Sequence, residues 1–254
     1  MAPYPESKNR YNGEVIPEKR YPELDAIRGL AVISMILFHL CFDLAFFYEW
    51  NIPIREGLFS LWSRGTAMTF LMVIGVCFVI SWQRTLRYEK YLRRGLIFLF
   101  AGMLISLITY LIAPGAYVKF GIIHMIGVSA LLQPLFVRLK GWNIVLGTVV
   151  SIGGIKISEI VTENPFLFPF GITYPGFFSL DYYPLLPWFG FVLTGMGLGF
   201  LFYTPRNKFL ERMGTLRFPN WLLWSGKRAF PLYFLHQLVL IMILSAIFGA
   251  PFHL

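Results

Sequence analysis

Charge is scarce in this chain. Of its 254 residues only 14% are Asp, Glu, Lys or Arg, well short of the roughly 25% typical of soluble domains. Acid is scarcer still, with 13 carboxylates against 22 Lys and Arg and a formal charge of +9. The two cysteines, Cys41 and Cys77, sit inside apolar runs. That argues against a disulfide framework and leaves no four-ligand thiolate set, so no metal is expected. No internal repeat or low-complexity tract stands out. The first 23 residues are polar, contain proline and lack a small-residue cleavage motif, so they read as a short cytoplasmic tail and not as a cleavable signal.

Apolar residues are abundant. They make up 57% of the chain, with 26 Phe, 13 Tyr and 7 Trp, and mean hydropathy is +0.64. A soluble core cannot hide so much aromatic surface, whereas lipid-facing helices and interfacial belts use it directly. The expected fold is therefore all-α, a polytopic membrane bundle in the cell membrane. About 20 apolar residues span a bilayer, and seven segments qualify: 24–47, 58–81, 94–112, 119–138, 142–160, 185–203 and 228–248. Residues 24–254 are read as one transmembrane domain, and 221–227 as a short interfacial helix feeding the last span.

Basic residues fall in alternate loops. Lys8, Arg10, Lys19 and Arg20 precede the first span, Arg84, Arg87, Lys90, Arg93 and Arg94 follow the second, Arg138 and Lys140 follow the fourth, and six more follow the sixth. The other loops hold only Arg55 and Lys119. By the positive-inside rule the N-terminus is cytoplasmic and the C-terminus outside. This loop pattern points to anionic lipid as the partner and away from nucleic acid. The long outer connection, about 161–184, reads as a lid or mouth.

Several ionisable groups lie at membrane depth, where they usually face a bundle interior or a wet cavity. His39 lies 11 residues past Arg28, about 16 Å along a helix. Asp43 follows at i+4 on the same face, where a carboxylate can orient a base. Arg64 is expected at a similar depth on the next helix, and an Asp43 to Arg64 ion pair is one expectation. The other is that Arg64 snorkels to the outer headgroups. His124 and His236 lie inside apolar spans, and three of four histidines thus fall between mid-depth and the outer third. At the cytoplasmic end Asp25 and Arg28 are i, i+3 neighbours, with Gly29 permitting close approach. They read either as dipole and topology signals or as an anion site rimmed by Arg93, Arg94, Lys227 and Arg228.

The string DAIRGLAVISMILFHLCFDL resembles the first-helix motif of prokaryotic membrane proteins grouped with the heparan-alpha-glucosaminide N-acetyltransferase catalytic domain. More distantly it is similar to the R-G-L-A…H start of acyltransferase-3 membrane enzymes. FLMVIGVCFVIS, FGIIHMIGVSALL, DYYPLLPWFGFVLTGMGLG and GKRAFPLYFLHQLVL follow in the family's order, so the resemblance covers roughly residues 22–243. It implies a transmembrane acyltransferase moving an acyl group, expected to be acetyl, from cytoplasmic acyl-CoA to a hydroxyl or amino group of a glycan or other small acceptor. Arg28 and Gly29 match the R-G pair, His39 the FHxxFD-like histidine, His124 that of FGILH, and His236 the late histidine. The heparan-modifying members carry a luminal histidine after the first helix, but NIPIREGLFS has none. Neither their substrate nor a covalent acetyl-histidine step is carried over.

The site expected from these readings has His39 as general base, Asp43 orienting it, His124 or Arg64 stabilising charge or positioning the acceptor, and His236 as a second wall. Asp25, Arg28, Gly29, Arg93, Arg94, Lys227 and Arg228 form the donor end, with acetyl-CoA or another acyl-CoA as donor. The rival readings are a proton-coupled transporter, since buried His and Asp also make proton relays, and a non-catalytic membrane protein. A homodimer is compatible with the aromatic lipid-facing surface.

Overall fold

A computed structural model describes residues 20–203 and 216–250, and the backbone of 10–11 and 14–15. Helix dominates it. Arg10–Tyr11 (β1) and Glu14–Val15 (β2) make one small antiparallel pairing. The helices are α1 (Pro22–Phe47), α2 (Gly57–Thr85), α3 (Tyr88–Ile112), α4 (Ile122–Phe136), α5 (Asn143–Ile157), α6 (Leu185–Phe202), α7 (Asn220–Lys227) and α8 (Ala229–Phe248). Two 3-10 segments, Val137–Trp142 and Pro165–Phe170, lie between them. Each of the seven expected spans is a helix, and the short helix expected before the last span is α7.

Six stretches are long and apolar enough to cross a bilayer, one of them being Ile122–Ile157. That stretch is not one rod. Lys140, at φ 47° and ψ −124°, breaks the helical path, and the chain reverses there. Phe120 pairs with Tyr182 just before α6, whereas Gly141 lies near Leu201 at the end of α6. So α4 runs with α6 and α5 returns against both. Each of α4 and α5 has 15 residues, about 22 Å of helix, shorter than the seven-span reading expected. The chain is a multi-pass membrane protein.

Two compact units divide the chain, one of residues 1–20 and 74–210, the other of 21–73 and 211–254. In the first, small residues let helices approach: Gly147 faces Gly190 and Thr194, Gly154 faces Pro187, and Gly197 faces Ile144, which makes α5 and α6 an antiparallel pair. Gly95 and Gly127 do the same for α3 and α4. Val192, Leu193, Met196 and Met125 are fully enclosed. The connection between α5 and α6 is pinned to the α3–α4 loop, because Lys119 N donates to Ser179 Oγ and Tyr183 N to the Phe120 carbonyl. The Lys119 ammonium stands 4.8 Å from the Phe177 ring centroid and 5.4 Å from those of Tyr117 and Tyr174, a cation–π fastening.

In the second unit α1 begins with Pro22 in its first turn, where the missing N–H costs nothing, and with Glu23 and Asp25 complementing the dipole. Gly29 meets Leu222, Ser225 and Gly226 of α7, and Gly226 meets Asp25 and Gly29, so closely that a Cβ on either glycine would overlap backbone. Further along, α1 and α8 run parallel, since His39 meets His236, Asp43 meets Gln237, and Tyr48 meets Gly249. Trp62 Nε1 donates to Ser34 Oγ at 2.6 Å, and that hydroxyl lies 2.8 Å from Thr66 Oγ1, tying the start of α2 to α1.

Candidate functional site

Four polar side chains gather where α1 and α8 touch. His39 Nδ1 lies 2.9 Å from the Met35 carbonyl and His236 Nδ1 lies 2.6 Å from the Tyr233 carbonyl. A carbonyl only accepts, so this network assigns the proton to Nδ1 in both rings and leaves each Nε2 with a lone pair. The two imidazoles face edge to plane, with centroids 4.7 Å apart. Phe38 and Phe42 flank His39, which limits water around it.

Asp43 is wholly buried. Its Oδ1 accepts from Gln237 Nε2 at 2.6 Å. Asp43 Oδ2, Gln237 Oε1 and His236 Nε2 are buried with no hydrogen-bond partner among the described residues. Such orphans are costly, each about 1–3 kcal/mol. They cluster here on two adjoining helices, as polar groups built to receive a ligand or water do. Gln237 was not foreseen, because an uncharged amide in an apolar run carries no distinct signal in a single sequence.

Arg64 does not join this group. Its residue is exposed, and the ion pair expected with Asp43 is not formed; the amide of Gln237 holds that carboxylate instead. A long arginine stem can carry its charge to the interface at less cost than burying it.

His124 belongs to the other unit and is buried there. Gly121 N donates to its Nδ1 at 3.3 Å, and Ser106 Oγ lies 3.4 Å from its Nε2. Ser106 spends its own proton on the Val118 carbonyl at 2.6 Å, so His124 Nε2–H is the donor to Ser106. Both ring nitrogens are thus engaged in closing the N-terminus of α4. Asp181 Oδ2 accepts from Ile122 N at 2.9 Å in the same turn. Burial raises the Asp181 carboxyl to about 6, partly offset by that backbone bond.

At the other end of α1, Asp25 Oδ1 lies 3.0 Å from Arg28 Nη1, which also reaches the Gly226 carbonyl at 3.4 Å. Asp25 and Gly29 are buried, while Lys227 and Arg228 at the α7–α8 junction are exposed, the Arg228 guanidinium 4.8 Å above the Trp224 ring. The expected donor end therefore gathers Asp25, Arg28, Gly29, Lys227 and Arg228 in one unit. Arg93 and Arg94 lie on exposed α3 in the other, Arg94 over Phe98. An open groove of about 430 Å³ along α3, lined by Glu89, Leu92, Arg93, Leu96, Ile97 and Phe100, is apolar apart from its charged end and holds none of the histidines.

No curated protein and no solved structure matched the chain. Residues 20–238 match the family described as heparan-alpha-glucosaminide N-acetyltransferase, catalytic. That span takes in α1 through the first half of α8, including His39, Asp43, His124, His236 and Gln237. The chain belongs to the heparan-alpha-glucosaminide N-acetyltransferase catalytic-domain family.

Proposed function

We propose that this membrane protein transfers an acetyl group from acetyl-CoA to an amino or hydroxyl group of a sugar or comparable small acceptor. The observation that carries the reading is the pair of imidazoles, each with Nδ1–H spent on a backbone carbonyl and Nε2 left basic, with the wholly buried Asp43 one turn beyond His39 on α1. In this reading His39 Nε2 takes the proton from the acceptor N–H or O–H. The acceptor atom then bonds to the thioester carbonyl carbon, the C–S bond breaks, and the thiolate leaves to be protonated as CoA. Asp43 balances the imidazolium that forms, and His236 Nε2 holds a second donor of the acceptor. Flanking aromatic rings keep water from competing for the thioester.

His124, with both nitrogens engaged, positions the start of α4 and does not act as base in this scheme. Arg64 has no part in it. The donor's phosphates would be met by exposed Lys227 and Arg228, beside the Arg28–Asp25 clasp. Arg93 and Arg94 are a separate set of exposed cations for an anionic ligand. Loop charges support a cytoplasmic N-terminus and hence a cytoplasmic donor.

The test is thiol release from acetyl-CoA by the purified protein in lipid nanodiscs, with glucosamine and glucose as amine and hydroxyl probes and His39→Gln as the comparison. Release that depends on a probe and on His39 supports the reading. If CoA neither shifts the melting temperature nor is released with any probe, the enzyme reading falls.

A further inference from the structure

Gln237 has no part in the proton transfer described above, yet its bond to Asp43 is as short as any in the cluster. Its Nε2 donates to Asp43 Oδ1 at 2.6 Å across 194 positions of sequence. The opposite end of the amide is equally informative. Gln237 Oε1 is buried and has no partner among the described residues, and the same holds for Asp43 Oδ2 and His236 Nε2.

A flipped amide would set two oxygens against each other at that distance, so Nε2 faces the carboxylate and Oε1 is the open atom. With both histidine Nδ1 atoms committed to carbonyls, the three open atoms all accept hydrogen bonds, and the second N–H of Gln237 is the donor left beside them.

We infer that Gln237 is the positioning and specificity-determining residue of this site: Nε2 fixes the rotamer of Asp43 so that Oδ2 points to the acceptor, while Oε1 takes a hydrogen bond from the acceptor. The inference rests on the acyltransferase reading and deepens it. The site selects acceptors by the number of N–H or O–H donors they present around the reacting atom. A wall with three open acceptors leaves a ligand without donors unpaired against three buried groups, and such mismatches discriminate strongly.

The amide also sets geometry that mere filling of the space does not. A methionine at 237 matches the length of the side chain and supplies neither the donor nor the acceptor. An asparagine keeps both but is one methylene too short to reach Asp43 and the acceptor together.

The experiment compares wild type, Gln237→Met and Gln237→Asn in nanodiscs, with acetyl-CoA as donor and glucosamine or glucose as acceptor. Loss of one hydrogen bond to a charged or reacting group is expected to raise KM for the acceptor about tenfold or more. KM for acetyl-CoA should move less than about twofold. In parallel, infrared spectra record the carboxyl band of Asp43, identified by its loss in Asp43→Asn. That band should shift in Gln237→Met, because the carboxylate has lost its amide partner.

Equal changes in both KM values, or an unmoved Asp43 band, overturn the inference and leave Gln237 a packing residue. Absence of CoA release by wild type with either probe instead overturns the acyltransferase reading, and the infrared band alone then decides whether Gln237 holds Asp43. Should Gln237→Met fail to fold, the same two readouts on Gln237→Asn decide the matter.

Discussion

His39 and His236 lie on parallel helices with ring centroids 4.7 Å apart and planes 78° from each other. Neither can present Nδ1 to a ligand, since each has given it to a carbonyl on its own helix. The pair therefore presents two ring-nitrogen lone pairs from neighbouring helices, and their spacing depends on how α1 seats on α8.

The two imidazoles should act as a unit. His39→Gln removes the base, so kcat is expected to fall about 10²- to 10⁴-fold. His236→Gln should cost less, about tenfold, as loss of one hydrogen bond to the acceptor. The double variant should be little worse than His39→Gln alone, because a hydrogen bond that positions the acceptor for a base adds little once the base is gone. Rates of CoA release for the three variants check this; fully multiplicative losses would mean that the two histidines serve different steps.

A second expectation concerns the seat of α1 on α7. Gly226 leaves no room for a Cβ against the Asp25 carbonyl, so Gly226→Ala must push the helices apart. Overpacking of this kind costs about 1–3 kcal/mol. Gly65→Ala, on a helix position with open space around it, should instead stabilise by up to about 1 kcal/mol through helix propensity. Melting temperatures in nanodiscs compare the two, and an unchanged Gly226→Ala would contradict the close contact.

Much of this architecture was readable before any coordinates. Runs of about 20 apolar residues mark helices whatever they pack against, and His39 with Asp43 announced themselves because ionisable groups are rare and costly in such runs. Their partners were another matter. An Asp43 to Arg64 pair follows from charge alone, yet Gln237 holds that carboxylate through a neutral amide 194 residues away, and a single sequence gives such a residue no mark. His124 shows the converse. As a histidine in an apolar span it looks like a candidate base, and only its bonds to Gly121 and Ser106 reveal a cap. The reversal at Lys140 was foreshadowed by the charges there, but not the shortening by about one turn of the helix on either side.

Asp181 gives the N-terminal end of α4 a pH dependence. Its folded-state value is raised to about 6 from 3.8, so between those values the folded chain holds a proton that the unfolded chain has lost. Stability from this group is full below the unfolded value and is lost as pH rises through about 6. Amide exchange at 120–124, corrected for its intrinsic pH dependence, should therefore be slower at pH 4.5 than at pH 7.5. Asp181→Asn keeps an oxygen for the Ile122 N–H and should abolish the difference. A pH difference that persists in Asp181→Asn would assign it to another group.

The donor end can be tested through phosphate charge. Lys227 and Arg228 are exposed, so each should contribute only about 0.2–1 kcal/mol to holding an anion. Lys227→Gln with Arg228→Gln is then expected to raise KM for acetyl-CoA about threefold to tenfold, leaving KM for the acceptor alone. Removing the 3′-phosphate from the donor should weaken binding to wild type but change little further in the double variant, since the charge it would have met is gone. Salt should act likewise, raising the wild-type KM more than that of the variant. Equal sensitivity of both proteins to salt and to the missing phosphate would place donor recognition elsewhere, and Arg93 with Arg94 would be the next pair to exchange.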